Sequence, residues 1–168
     1  MKEPVAYQDA VDLLDADHNA VKKMFIDYGA LCEDHAPPDQ KGALAERICQ
    51  ALIVHSQLEE EIFYPAVRKA LGDDALMDEA LDEHADAKQI IAQIQAMQAS
   101  DAAYDATVKK LGALIDQHVL EEREQIFLRA RLATLDLRGL TLQLLKRKQQ
   151  LTAKIVTAPA LVPAKEVS

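Results

Sequence analysis

Val11, Leu14, His18, Val21, Phe25, Tyr28 and Cys32 follow one another at steps of three or four residues, the spacing that gathers side chains on one face of an α-helix. The pattern predicts a first helix from about Tyr7 to Cys32. His35-Ala36-Pro37-Pro38 ends it, because consecutive prolines cannot continue a helix interior. Leu44, Ile48, Ala51, Leu52, His55, Leu58, Glu59 and Ile62 form a second stripe, for a helix from about Asp39 to Ala70. Leu71-Gly72-Asp73-Asp74 then supplies a stop and a new N-cap. A third helix is expected from about Asp74 to Gln98 through Leu76, Ala80 or Leu81, His84, Ala87, Ile91 and Ile94. A Ser100-Asp101 cap opens a fourth, which reaches about Leu132 through Val108, Leu111, Leu114, Ile115, His118, Glu122 and Ile126. Leu137, Leu140, Leu144, Leu145 and Leu151 mark a shorter fifth helix, from about Asp136 to Leu151.

Four helices of about 25 to 30 residues, each ~40 Å long and joined by short links, pack most simply as an up-down-up-down bundle. The expected fold class is therefore all-α: a four-helix bundle with a short C-terminal fifth helix lying on its outside or across one end, spanning residues 1–151. Thr152 to Ser168 has two prolines and no apolar periodicity, and is expected to be a flexible tail.

Composition agrees with a helical domain. Half of the 168 residues are apolar, and only 5 are Gly and 6 Pro, so there is material for a core and little for turns. The formal net charge of −9 opposes binding to nucleic acid or to anionic membrane surfaces. Lys146-Arg147-Lys148 is a short basic cluster on a helix face and reads as solvated. The N-terminal residues lack the apolar core of a signal peptide, and no apolar run nears the ~20 residues that span a bilayer. A cytoplasmic protein is expected, with Cys32 and Cys49 as reduced thiols.

Polar residues interrupt the apolar stripes at one level. His55 and Glu59 are four residues apart, and so are His118 and Glu122, so each pair shares a helix face that is otherwise apolar. His18 and His84 fall near the middle of the other two helices, while His35 falls in the proline-rich link. Burying carboxylates costs several kcal/mol each unless a positive charge is near, and the stripes bring no Lys or Arg. Bound cations supply that charge. Imidazole with carboxylate suits Fe, Mn, Zn or Ni, and six ligands exceed what one tetrahedral zinc uses. Two bridging carboxylates fit a dinuclear centre. The ferritin-like alternative needs Glu-x-x-His on two helices, and this chain has none. Glu60, Glu61 and Glu121 read as a solvated face or as support for the ligands, Tyr28 as a core tyrosine, and Tyr64 as packing at the end of the bundle.

His55-x-x-x-Glu59-Glu60 ending in Tyr64-Pro65 recurs in outline about 60 residues on as His118-x-x-x-Glu122, with Asp17-His18 and Glu83-His84 on the other helices. With these motifs the chain, from about residue 10 to 151, resembles the hemerythrin-type HHE cation-binding domains, a family related to the myohemerythrin bundle. The resemblance implies two iron ions, His18 and His55 serving one, His84 and His118 the other, with Glu59, Glu122 and an oxo or hydroxo group as bridges. It implies a protein that binds or senses O2 or another small diatomic or anionic ligand, with a redox or signalling protein as partner. The alternatives are a di-iron enzyme acting on peroxide or nitric oxide and an iron storage or sensing protein. Oxygen-carrying hemerythrins place two histidines a turn apart on the third helix, whereas here His84 stands alone, with Ala80 and Lys88 one turn to either side. One ion is then a ligand short, and water or an extra carboxylate is expected to fill the place. Of the two neighbours, Lys88 reads as the slightly better position for restoring a third histidine.

Overall fold

The computed structural model describes residues 7–157 and shows the expected all-α fold, a four-helix bundle joined by a further C-terminal helix. The first bundle helix is α1 (Ala10–Glu33), capped by Asp9, whose carboxylate accepts the Asp12 backbone N–H. The second is a continuous rod of three pieces: α2 (Pro38–Leu58), a π-helical turn (Glu59–Phe63) and α3 (Tyr64–Leu71). Pro38 opens it at the position where proline's missing N–H costs nothing. Gly72 ends it with φ of 65°, a left-handed conformation that suits glycine. The third is α4 (Asp74–Ala96), with Asp73 as N-cap accepting from the Leu76 N–H. The fourth is α5 (Tyr104–Glu121), a second π turn (Glu122–Phe127) and α6 (Leu128–Leu132).

The four rods pack in a closed ring, with α1 against α2 and α5, and α4 against α2 and α5. Two apolar clusters fill the interior. One gathers Leu13, Leu14, Leu58, Phe63, Val67, Met77 and Ala130. The other gathers Val21, Tyr28, Ile48, Cys49, Leu52, Ile91, Ile94 and Leu111. Between them lies a polar layer of His18, His55, Glu59, His84, His118 and Glu122, all buried. Tyr28 belongs to the second cluster, and its hydroxyl donates to Asp105 at 2.7 Å. Cys32 and Cys49 are free thiols.

Three boundaries differ from expectation. Ser100-Asp101 does not cap the fourth helix. The Asp101 carboxylate instead accepts the Gln98 N–H and closes the preceding turn, and α5 begins at Tyr104. The fifth helix, α7 (Leu137–Thr157), does not stop at Leu151, because Ile155 extends its apolar stripe onto the first cluster. This helix lies along α1, α2 and the first π turn. The remainder of the expected tail, residues 158–168, lies outside the described residues. Finally, the second and fourth helices are not uniformly α-helical, and their π turns begin at Glu59 and Glu122. Among the described residues, no helix is long and apolar enough to cross a membrane.

Candidate metal centre

All six residues singled out from the sequence meet at one depth. They form two tetrads that share both glutamates: His18, His55, Glu59 and Glu122 in one, Glu59, His84, His118 and Glu122 in the other. Within each tetrad one ligand atom per residue lies within 4.8 Å of every other. His35, by contrast, is exposed in the link after α1.

Each glutamate faces both halves. Glu59 Oε1 is 3.2 Å from His55 Nε2 and 3.2 Å from His84 Nε2. Glu122 directs Oε1 to His18 Nε2 at 3.0 Å and Oε2 to His118 Nε2 at 3.7 Å. Distance alone does not satisfy these atoms, because a carboxylate oxygen and a ring nitrogen without a proton are both acceptors. Among the described residues, His18 Nε2, His55 Nε2, His118 Nε2, Glu59 Oε2 and Glu122 Oε1 are buried without a hydrogen-bond partner. Unpaired buried polar atoms are rare because each costs about 1–3 kcal/mol. Here they converge on two points, and their lone pairs suit two cations with nitrogen and oxygen ligands.

The outer ring nitrogens explain why the inner ones are available. Each histidine has a carboxylate on Nδ1: Asp15 on His18 at 3.1 Å, Asp17 on His55 at 3.1 Å, Glu60 on His84 at 2.8 Å and Glu83 on His118 at 2.6 Å. A carboxylate accepts, so Nδ1 carries the proton and Nε2 turns its lone pair inward, as metal-ligating histidines require. Three of these carboxylates are held in turn by a cation: Asp15 by Arg123 at 2.7 Å, Asp17 by Lys148 at 2.6 Å and Glu60 by Lys88 at 2.8 Å. Among the described residues, no Lys or Arg pairs with Glu83. Burial and the neighbouring Glu121 and Glu79 push its carboxyl up to about 8.

The electrostatics favour positive charge at the centre. Burial opposes a charged His55, but Glu59 and Asp17 outweigh it and hold the imidazole well above its usual range. His84 behaves alike, raised to about 9 against its own burial by Glu59 and Glu60. Glu59 is held well below the usual carboxylate range, since His55 and His84 overcome its desolvation. A metal ion competes with protons for these same lone pairs.

Three cavities among the described residues reach the layer. One of about 340 Å³ is lined by Glu79, Ala80, Glu83, His118, Glu121 and Glu122. Another, of about 280 Å³, runs to His18 between Lys22, Asp116 and Arg123. The third, of about 20 Å³, touches all four histidines and is closed by Leu52, Ala87, Leu114 and Ile115. Ala80 is buried beside the cavity of about 340 Å³. Lys88 instead lies half exposed and pairs with Glu60, so the better position for a restored third histidine is Ala80, not Lys88.

Tyr64 does not pack at the end of the bundle, where its place beside Pro65 suggested: its hydroxyl sits in the polar layer, hydrogen-bonded to Glu122, 3.3 Å from Glu59 Oε1 and 3.3 Å from His84 Nε2. In an α-helix residue i+5 lies roughly 140° around from residue i. The π turn closes that gap, with the Tyr64 N–H donating to the Glu59 carbonyl, and turns both side chains inward. A sequence signal for this exists: an aromatic residue stands five after the glutamate in both His-x-x-x-Glu units, Tyr64 and Phe127.

Comparison with known proteins agrees with this geometry. A "DNA nickase" from Nostoc sp. (strain PCC 7120 / SAG 25.82 / UTEX 2576) is 28% identical over 116 residues. The match takes in 69% of this chain but only 32% of that protein, so the chain spans about a third of its relative's length. A crystal structure of a hemerythrin HHE cation-binding domain-containing protein from Mycobacterium kansasii superposes with a TM-score of 0.70 at 18% identity, over 89% of this chain and 93% of that one, which shows a shared fold. The hemerythrin HHE cation-binding domain model matches residues 9–130. Two buried His/Glu tetrads with shared glutamates are typical of hemerythrin di-iron sites that bind O2. The chain belongs to the hemerythrin HHE cation-binding domain family.

Proposed function

We propose that the chain holds two iron ions, oxo- or hydroxo-bridged, one on His18 and His55 and the other on His84 and His118, with Glu59 and Glu122 spanning both. The single observation that carries this is the pair of tetrads sharing both glutamates, five of whose inward atoms lack a hydrogen-bond partner among the described residues. When bound, the pair supplies reversible one-electron chemistry toward O2 or a related small molecule. The chain's own residues do the rest. The four Nδ1 carboxylates fix the imidazoles, the two apolar clusters close the layer above and below, and the void of about 20 Å³ beside the four histidines has room for one small molecule. The two free thiols fit a reducing, cytoplasmic setting, and a redox or signalling protein would pass on or read the change at the centre.

A second reading, an enzyme acting on peroxide or nitric oxide, draws on the cavity of about 340 Å³. It runs to His118 and Glu122, and the Glu79 and Glu121 carboxylates on its wall favour small neutral molecules over anions. Optical spectra of the iron-loaded, reduced protein mixed with O2 and, separately, with peroxide test both. A stable new spectrum with O2 supports the binding reading. Rapid turnover of peroxide supports the enzyme. A chain whose spectrum responds to neither contradicts both.

A further inference from the structure

We propose that Glu79, Glu83 and Glu121 form a docking site for a divalent cation on the cavity of about 340 Å³, through which the metal reaches the buried centre. The inference rests on the di-iron reading above and adds its loading route.

The first support is the cluster itself. Glu79 and Glu83 stand four residues apart on one face of α4, and Glu121 ends α5, which packs against α4. One carboxylate oxygen from each lies within 4.8 Å of the other two. Glu79 is exposed, and Glu83 and Glu121 are partly buried. Among the described residues, no Lys or Arg pairs with any of them. Gln117 donates to Glu121 at 2.6 Å, and His118 donates to Glu83 at 2.6 Å. Carboxylates this close repel one another, and a cation that takes oxygen ligands removes the repulsion.

The second is what lies behind the cluster. The same cavity is lined by His118 and Glu122, which are 7% and 1% exposed. His118 Nε2 and Glu122 Oε1 have no hydrogen-bond partner among the described residues. The cavity thus joins carboxylates that meet solvent to buried lone pairs that lack a partner. Oxygen ligands alone hold a transition-metal ion loosely, and an imidazole nitrogen adds affinity. The gradient leads inward, and it reaches the His84–His118 half first.

The third is the character of the other approaches. The cavity that runs to His18 carries Lys22 and Arg123 against the single carboxylate of Asp116, so it repels an incoming cation. The void of about 20 Å³ is closed by apolar side chains.

The test has two arms. In the first, the metal-free chain is mixed with cobalt(II) in a stopped-flow instrument, and the visible band of the ion on its nitrogen and oxygen ligands is followed. Glu79→Gln with Glu121→Gln should slow that band roughly tenfold at low ionic strength while its final height and the metal content stay those of wild type. Glu83 is left in place because it holds His118. Lys22→Gln should not slow it. In the second arm, manganese(II) is added to the iron-loaded chain, and the loss of its free-ion electron paramagnetic resonance signal counts what is bound. Wild type should hold one further, weakly bound Mn2+, and the double variant none. The manganese count on wild type stands even if the double variant folds poorly. An unchanged cobalt rate in the double variant, or no further Mn2+ on the iron-loaded wild type, would overturn the docking site and leave the di-iron reading intact. A wild-type chain that takes up neither cobalt nor iron would overturn both.

Discussion

Asp17 is the chain neighbour of His18, yet its carboxylate serves His55 on the next helix, 3.1 Å from Nδ1. Its other oxygen is held by Lys148 of α7 at 2.6 Å. The same crossing occurs at Glu83, which neighbours His84 and serves His118. Adjacent residues thus tie a histidine on one helix to a histidine on another, and α7 is tied to the polar layer through Lys148.

Asp17→Asn should therefore weaken iron binding by roughly 10- to 100-fold, the usual effect of losing such a support, without loss of helix content. Lys148→Met should weaken it less, since Asp17 keeps His55. Competition against a chelator of known affinity measures both. Unchanged affinity in Asp17→Asn would show that packing alone sets the His55 ring.

Ala80 and Lys88 each lie one turn from His84, and the structure separates them. Ala80→His would place an imidazole at the cavity beside His118 and Glu122. The expected result is a changed iron spectrum and several-fold slower oxidation of the reduced protein by stopped flow. Lys88→His, at a half-exposed position, should leave the spectrum of the oxidised form nearly unchanged. The reverse pattern would place the open side of the centre elsewhere.

Small anions meet Glu79, Glu83 and Glu121 on their way through the cavity of about 340 Å³. Azide should consequently bind slowly at low ionic strength and several-fold faster in ~0.5 M of a non-coordinating salt, because screening shortens to a few ångströms. Glu79→Gln with Glu121→Gln should give the same acceleration without salt. An azide rate independent of both would mean that anions approach by another route.

How much of this was legible beforehand follows from helix geometry. His55 with Glu59 and His118 with Glu122 sit four apart, and an α-helix puts such pairs on one face, so their meeting in one buried polar layer could be read from spacing. So could the four long helices, from apolar steps of three and four. Tyr64 could not be read that way, because a spacing of five leaves an α-helical face, and only the π turn restores it. The carboxylates on the Nδ1 atoms were visible as residues, but their crossing from helix to helix depends on how the rods pack. Ile155 continues the stripe of Leu144 and Leu151, but the prolines that follow it made the whole segment read as tail.

Gly72 supplies a test of the frame apart from the centre. Its φ of 65° is left-handed, and its N–H closes the rod on the Arg68 carbonyl. Nothing crowds an added Cβ there, so Gly72→Ala should cost about 1 kcal/mol through backbone strain alone. Denaturant unfolding at matched iron content checks this. A loss of several kcal/mol would mean that the turn also carries packing.

On the proposed reading, Glu59 and Glu122 hold two cations between the four histidines. Anaerobic titration of the metal-free chain with ferrous iron, followed by oxidation and Mössbauer spectroscopy, tests it most directly. The expected result is saturation at two irons per chain and a diamagnetic, antiferromagnetically coupled ferric pair at low temperature, with Glu122→Ala falling short of two. Saturation at one iron per chain, or two magnetically isolated ferric ions, would contradict it.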